Sequence, residues 1–370
     1  MKFIHCADVH LDSPFTSLDV VNAEKRRLSL RSAFASLILY AKTSGCELFV
    51  ISGDLFDDEC ITKDTSLEII RHMESIPTCR FVITPGNHDP YNASSPYMLL
   101  DWPKNVYIFN SPEISHFDFP EINTTVYGFA FTSDTVTNSV LEGFHVKDES
   151  RINILALHCD LDVKDSYYCP VTHRQISDSG ADYAALGHIH KGTDILSEGN
   201  VKYAYSGCLE GRSFGETGIK GAVCGEIEKG NVALKRVRFC SKRYEKIDID
   251  VTGVQSITDC TDKIIKAGSE YSDDTMLRIT FTGITSEGFT ADTNLVKKML
   301  PNVFYLEIAD ETAPLLNLNS LKEDKTLAGE FYRCLEEKLL SEDEEMRKTA
   351  NNALKYGLRA IKGMEIGLED

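Results

Sequence analysis

Five polar motifs, each preceded by a short apolar run, stand in order along the first part of this chain. They are Asp8-Val9-His10 after Lys2–Cys6, and Gly53-Asp54-Leu55-Phe56-Asp57 after Leu48–Ile51. Gly86-Asn87-His88-Asp89 follows Phe81–Ile83, His158 follows Ile152–Leu157, and Gly187-His188-Ile189-His190 follows Tyr183–Leu186. The runs have strand composition, and helix-compatible segments, Asn22–Lys42 and Thr62–Ser75, lie between the early ones. Strands alternating with helices predict a sheet covered on both faces. The polar residues then gather in loops at the strands' carboxyl ends, where sites assemble in such folds. All ten histidines lie at or before His190, so the chemistry is expected in one domain and something else in the other.

A chain of 370 residues has room for two or three domains. Its net charge of −18 argues against a surface that attracts nucleic acid as a whole. Contact with a polyanion would need a local patch, metal charge or a partner. Eleven cysteines without CxxC pairs fit reduced thiols better than a disulfide framework or a cysteine-built zinc site. The opening MKFIHCADVH meets Asp8 too early for a signal peptide, and no stretch approaches the roughly 20 apolar residues of a membrane helix. A cytoplasmic location without membrane contact is the expectation.

Beyond Tyr203 the pattern turns to β-hairpins as far as Phe239, with Gly230-Asn231 as a turn. Tyr244–Val251, Ile257–Ala267, Thr275–Phe281, Thr293–Met299 and Val303–Ile308 read strand, helix, strand, helix, strand, a small α/β domain. After Pro314 a polar linker precedes two amphipathic helices. The first carries Leu327, Phe331, Leu335 and Leu339 at i+4 spacing; Ser341 and Glu344 read as a capping box opening the second, which runs to Gly363. The expected division is 1–240, 241–314 and 315–370.

Taken singly, each motif is weak, because a lone histidine at a strand end is usually a satisfied surface or core residue. Five in order are specific. Glycine before Asn87-His88 and before His188 is expected to let the backbone turn sharply. Histidine nitrogen, carboxylate oxygen and amide oxygen form a mixed donor set suited to manganese, iron or zinc and without the thiolates of structural zinc. One carboxylate can bridge two ions about 3.5–4 Å apart, and water between two dications serves as hydroxide near neutral pH. The favoured substrate is a phosphate ester.

These motifs resemble those of the calcineurin-like metallophosphoesterases. Within them the chain is similar to the SbcD-type DNA double-strand-break repair nucleases, and the stretch His5-Cys6-Ala7-Asp8-Val9-His10-Leu11-Asp12-Ser13-Pro14-Phe15 points to the YhaO-like branch. The resemblance implies a metallophosphoesterase sandwich, an α/β fold of sheets covered by helices, with a small α/β capping domain and C-terminal helices. It implies one metal on Asp8, His10 and His190, another on Asn87, His158 and His188, and Asp54 bridging them. His88 is then catalytic without holding metal, and Asp89 orients it. Two divalent ions are implied, manganese first, with iron, zinc and magnesium as alternatives. The implied reaction is phosphodiester hydrolysis by a bridging hydroxide: a 3′-to-5′ exonuclease, with single-strand endonuclease activity beside it. DNA is the implied substrate and an SbcC-like ATPase bound at the C-terminal helices the partner; a homodimer is an assembly the sequence leaves open. Some relatives carry a histidine where this chain has Asp57, which leaves that residue's task open. Rival readings are a small-molecule phosphodiesterase or phosphomonoesterase on the same centre, and a non-enzymatic scaffold for DNA ends or the ATPase.

His5 is expected to pack within the first strand, and Cys6 and Cys159 to be small buried hydrophobes. Lys25, Arg26, Arg27 and Arg31 on one helix, and Lys235, Arg236, Arg238, Lys242 and Arg243 near a domain junction, read as solvated faces or as phosphate-contacting patches.

Overall fold

A computed structural model describes residues 1–57, 61–286, 289–314, 318–361 and 363. The chain divides into two compact units, Met1–Arg243 and Tyr244–Asp370.

The first unit is a sandwich of two six-stranded sheets. Its strands are β1 (Lys2–Cys6), β2 (Leu48–Ser52), β3 (Arg80–Thr84), β4 (Val106–Ile108), β5 (Ser115–Phe119) and β6 (Thr124–Gly128). They continue with β7 (Ile152–His158), β8 (Tyr183–Gly187), β9 (Leu196–Glu198), β10 (Val201–Tyr205), β11 (Gly221–Glu228) and β12 (Asn231–Arg238). One sheet runs β12-β11-β1-β2-β3-β4 and the other β5-β6-β7-β8-β10-β9. β1 to β4 are parallel in the first, and β6, β7, β8 and β10 in the second. Antiparallel strands flank both blocks.

Side chains alternate across a strand, so each sheet can bury both faces. Phe3, Leu48, Val50 and Val82 meet Val126, Ile154, Ala185 and Ala204 between the sheets. On the outer face of the first sheet, α1 (Val20–Ser44) and α2 (Lys63–Glu74) cover Ile4, Phe49, Ile51 and Phe81. Loops and the short α4 (His173–Asp178), which follows α3 (Pro96–Leu99) in the chain, cover the second. The sheets are pinned to each other near their carboxyl ends, where Ser52 Oγ donates to Ala185 O at 2.9 Å and Thr84 Oγ1 to Ala156 O at 3.1 Å. His5 spans the gap as well, with Nδ1 3.0 Å from Tyr183 Oη. The sandwich therefore brings the ends of β1, β2 and β3 against those of β7 and β8. Each of the five motifs begins at one of these ends.

Some local readings shift. Glu228 pairs with Asn231, so the central residues of the β11–β12 turn are Lys229 and Gly230, and Asn231 already belongs to the strand. Gly230 supplies the positive φ, +77°, that such a turn requires. The expected patch on α1 is largely spent internally. Arg26 is fully buried and bonded to Glu210, while Arg27 pairs with Glu24.

In the second unit β13 (Arg243–Asp250), β14 (Thr275–Thr282) and β16 (Tyr305–Asp310) form a three-stranded sheet, and β15 (Ile284–Thr285) pairs with β17 (Ala313–Pro314). The helices α5 (Thr261–Gly268) and α6 (Thr293–Met299) share its core through Ile264 and Val296. Beyond Pro314, residues 315–317 lie outside the described ones, and α7 (Leu318–Glu323) occupies part of the expected linker. Then α8 (Leu327–Leu339) and α9 (Glu344–Ile361) pack together. Phe331, Leu335 and Leu339 of the i+4 stripe lie against Leu354 and Leu358 of α9, whereas Leu327 is exposed. The cap of α9 is Asp343, whose Oδ1 accepts from Glu345 N and Met346 N; Ser341 stands two residues too early. Lys355 of α9 is buried on Asp310 Oδ1 at 2.7 Å and Thr312 Oγ1 at 3.2 Å, so the helical segment shares one compact unit with the small sheet. Among the described residues, no helix is long and apolar enough to cross a membrane.

Candidate metal centre

The chain leaves β1 and β2 side by side. Asp8 N donates to Gly53 O, His10 N to Asp54 O and Leu11 N to Leu55 O, at 2.9–3.0 Å. Asp8, His10 and Asp54 hold φ of about +50°, and His188 holds +98°, a region that β-carbon residues rarely occupy. Such strain persists where surrounding bonds over-determine it. Gly53 has φ +90°, and a β-carbon there would meet His158 Nδ1 at 2.0 Å. Gly86 has ordinary φ and is required for space instead, because its β-carbon would meet Asp54 Oδ1 at 2.1 Å. The expectation of a sharp turn at that glycine is corrected to one of close approach.

The structure brings all seven predicted metal-binding side chains into one pocket. One donor atom each from Asp8, His10, Asp54 and His190 lie within 4.8 Å of one another. His10 Nε2 stands 3.2 Å from His190 Nε2. On the other side, Asn87 Oδ1 stands 2.9 Å from His158 Nε2 and 3.2 Å from His188 Nδ1. Asp54 lies between, its Oδ2 3.5 Å from both His10 Nε2 and His158 Nε2. Asp8, His10, Asp54 and His158 are buried; Asn87, His188 and His190 are partly open.

Every histidine of the pocket has an oxygen at its outward nitrogen. His158 Nδ1 donates to Ser52 O at 2.9 Å and His190 Nδ1 to Glu216 Oε1 at 2.6 Å. His10 Nδ1 lies 2.8 Å from Asp57 Oδ1, and His188 Nε2 lies 3.5 Å from Asp160 Oδ1. Where the proton is held outside, as on His158, the inward nitrogen is a lone pair facing an oxygen, Asn87 Oδ1. Neutral groups would repel there, and Asp8 Oδ2, buried, finds no hydrogen bond at all. Divalent cations satisfy these atoms together, so the donor set fits the implied ions.

Electrostatics divides the histidines: burial lowers His190, but its bond to Glu216 and the Asp8 charge outweigh burial and raise it above the usual imidazole range. Burial holds His10 well below the usual imidazole range and pushes His188 down to about 4, leaving both neutral as ligands must be. Burial pushes Asp8 up to about 6 despite the opposing pull of His158 and His190, since without cations its charge is poorly compensated. Burial also works against the charge on Glu216, but its bond to His190 and the nearby Arg212 bring it down to about 2.

His88 lies at the mouth, exposed, its ring 4.9 Å from that of His10 and its backbone N donating to Asp54 Oδ1 at 3.0 Å. Asp89 does not orient it. The Asp89 carboxylate accepts from Gly86 N, Asp54 N, Phe56 N and Tyr97 Oη, so it stitches the two motif loops together. Burial and the Asp54 charge push it up to about 7. The carboxylate near the ring is Asp57: His10, Asp57 and His88 each offer an atom within 4.8 Å of the others.

Glu216, Asp160, Arg212 and Tyr168 escape the sequence reading. Tyr168 lies on the His188 ring at 4.5 Å. Only Asp160, two residues after His158, has a sequence signal; the others stand on loops with no periodicity. Cys6 and Cys159 are buried thiols pushed far up by burial, not thiolate ligands. In the branch-marking stretch, Asp12 caps the start of α2 through Thr62 N and Thr65 Oγ1, and Phe15 packs under Arg26.

A double sandwich with paired donor clusters at converging strand ends defines a metal-dependent phosphoester hydrolase. The family model for Calcineurin-like phosphoesterase matches residues 1–192, and the chain belongs to that family. The Uncharacterized metallophosphoesterase YhaO of Bacillus subtilis is 30% identical over 73% of this chain and 69% of its own length. A probable cyclic nucleotide phosphodiesterase of Coxiella burnetii is 28% identical over 35% of this chain and 47% of its own.

Proposed function

We propose that this hydrolase is a DNA nuclease, a 3′-to-5′ exonuclease with single-strand endonuclease activity, manganese-dependent and acting in DNA repair with an SbcC-like ATPase. The observation that carries the reading is a cationic edge beside the centre. Arg236 of β12 is exposed and its NH1 donates to Gly192 O at 3.0 Å, two residues past His190, and Lys191 between them is exposed too. In a chain of net charge −18, this local patch supplies what a phosphate backbone requires.

Asp8, His10 and His190 would hold one ion and Asn87, His158 and His188 the other, with Asp54 between the two groups. Two dications bound there would supply Lewis acidity, acidifying water and offsetting phosphate charge. Asp57 stands beside the His10 and His88 rings, and His88 delivers a proton to the departing 3′-oxygen at the open mouth. The described residues supply position and a proton. A cyclic nucleotide is the second reading, favoured by the name of the Coxiella relative.

Linear duplex, linear single-stranded and circular single-stranded DNA are incubated with the protein in Mn²⁺, Mg²⁺ and Zn²⁺, beside 3′,5′-cyclic AMP. Mononucleotides released from linear DNA in Mn²⁺ are expected. Intact DNA with rapid cleavage of cyclic AMP would overturn the nuclease reading. Retention of the ATPase on the immobilised chain tests the partner; no retention argues against it.

A further inference from the structure

We propose that Arg212 is a positioning residue that braces one of the two metal positions and leaves the other alone. His10 and His190 share the position completed by Asp8, and their outward nitrogens lean on different carboxylates, Asp57 and Glu216. One guanidinium joins those carboxylates: Arg212 NH1 donates to Asp57 Oδ1 at 2.5 Å, and NH2 lies 3.7 Å from Glu216 Oε1 and 3.4 Å from His190 Nδ1. The Arg212 backbone N donates to Glu216 Oε2 at 2.7 Å, closing the loop on itself. The result is a chain His10–Asp57–Arg212–Glu216–His190, whose two ends are the facing nitrogens of the pocket.

The brace is itself anchored. Glu210, two residues earlier, is buried and accepts from Arg26 and from Ser241 N, and Arg26 NH2 donates to Gly211 O at 2.7 Å. Cys208 N donates to His190 O at 3.1 Å. The guanidinium therefore approaches the pocket from a fixed backbone. On the other side, His158 leans on a backbone carbonyl and His188 on Asp160, and among the described residues the carboxylates that Arg212 joins are Asp57 and Glu216. The asymmetry makes the consequence selective. A rigid fork that holds two carboxylates in register fixes both rings, whereas a lysine keeps the charge without the fork.

This inference rests on two ions occupying the pocket, so the wild type is measured first. Full-length protein is loaded with Mn²⁺, desalted, and read by metal analysis and by electron paramagnetic resonance. Two ions per chain with an exchange-coupled spectrum establish the centre; fewer in the wild type would refute the two-ion reading and not the brace. Arg212→Ala is expected to retain one ion with an uncoupled six-line spectrum, the weaker ion's Kd rising on the order of 10–100-fold. Arg212→Lys is expected to fall between. In a His188→Ala background, which keeps only the braced position, adding Arg212→Ala should empty the pocket. Two coupled ions held with unchanged affinity in Arg212→Ala would overturn the proposal, as would equal weakening at both positions. If Arg212→Ala does not fold, Arg212→Lys decides: selective weakening supports the brace, and wild-type affinity at both positions overturns it.

Discussion

His10 and His190, 180 residues apart in the chain, face each other through Nε2 atoms 3.2 Å apart. The outward Nδ1 of His190 is bonded to Glu216, and that of His10 lies against Asp57. Wherever no proton stands between those Nε2 atoms their lone pairs repel, and a cation beside them relieves the repulsion. The folded pocket is therefore preorganised for metal at some cost to the metal-free protein.

Binding and chemistry separate by residue. Asp54→Ala removes the carboxylate that lies between the donor groups, and metal analysis should find fewer than two ions per chain. His88→Ala should keep both ions and lose on the order of 10²–10⁴ in kcat, the range for a lost proton donor or charge stabiliser. A depleted pocket in His88→Ala would make that histidine a ligand and contradict its assignment.

His5 gives a pH test away from the metal. Burial pushes its imidazole down to about 3 from 6.5, so the folded protein holds it neutral. Below pH 6.5 the unfolded chain takes up a proton that the folded chain refuses, and stability is lost progressively as pH falls toward 3. Between pH 7 and 5 the loss from this residue is about 2 kcal/mol. His5→Gln keeps a partner for the Tyr183 hydroxyl and does not titrate. Urea unfolding of the first unit, in chelator, should show that much less acid sensitivity in the variant; equal slopes would mean His5 is protonated in the folded state.

The candidate ligands were legible because each follows an apolar run that had to be a strand, and a strand's end fixes where the next side chains go. Asp8, Asp54, Asn87, His158 and His190 could be read that way without knowing the order β12-β11-β1-β2-β3-β4. Their supports could not. Glu216 and Arg212 reach the pocket from a loop whose course depends on the buried contact of Arg26 with Glu210, across more than 180 residues of chain. Arg26 itself looked like one cation among four on a helix, and only the fold shows it fully buried. The α8 stripe was visible as periodicity, but periodicity does not name a partner, and the partner of Phe331 and Leu335 is α9.

That buried pair yields a stability prediction. Glu210→Ala leaves Arg26 without its carboxylate at a site closed to water, and removing one partner of such a pair costs about 3–5 kcal/mol. Arg26→Met with Glu210→Leu, which removes both charges, should recover most of the loss. Chemical denaturation of the first unit measures both; a single variant within about 0.5 kcal/mol of wild type would show that water reaches the pair.

Ending the chain at Pro314 removes α8 and α9 and with them Lys355, which lies buried on Asp310 and Thr312. The calorimetric transition of the second unit should be lowered or lost while the first unit keeps its metal. An unchanged second transition would mean the helices add nothing to the small sheet.

The most direct test of the dinuclear centre is anomalous scattering at the manganese edge from crystals grown with Mn²⁺. The account predicts two peaks in one pocket, one touching Asp8, His10 and His190, the other touching Asn87, His158 and His188, and Asp54 in contact with both. Those spacings should fall at about 3.5–4 Å between ions. A single peak, or two peaks without Asp54 between them, would contradict it.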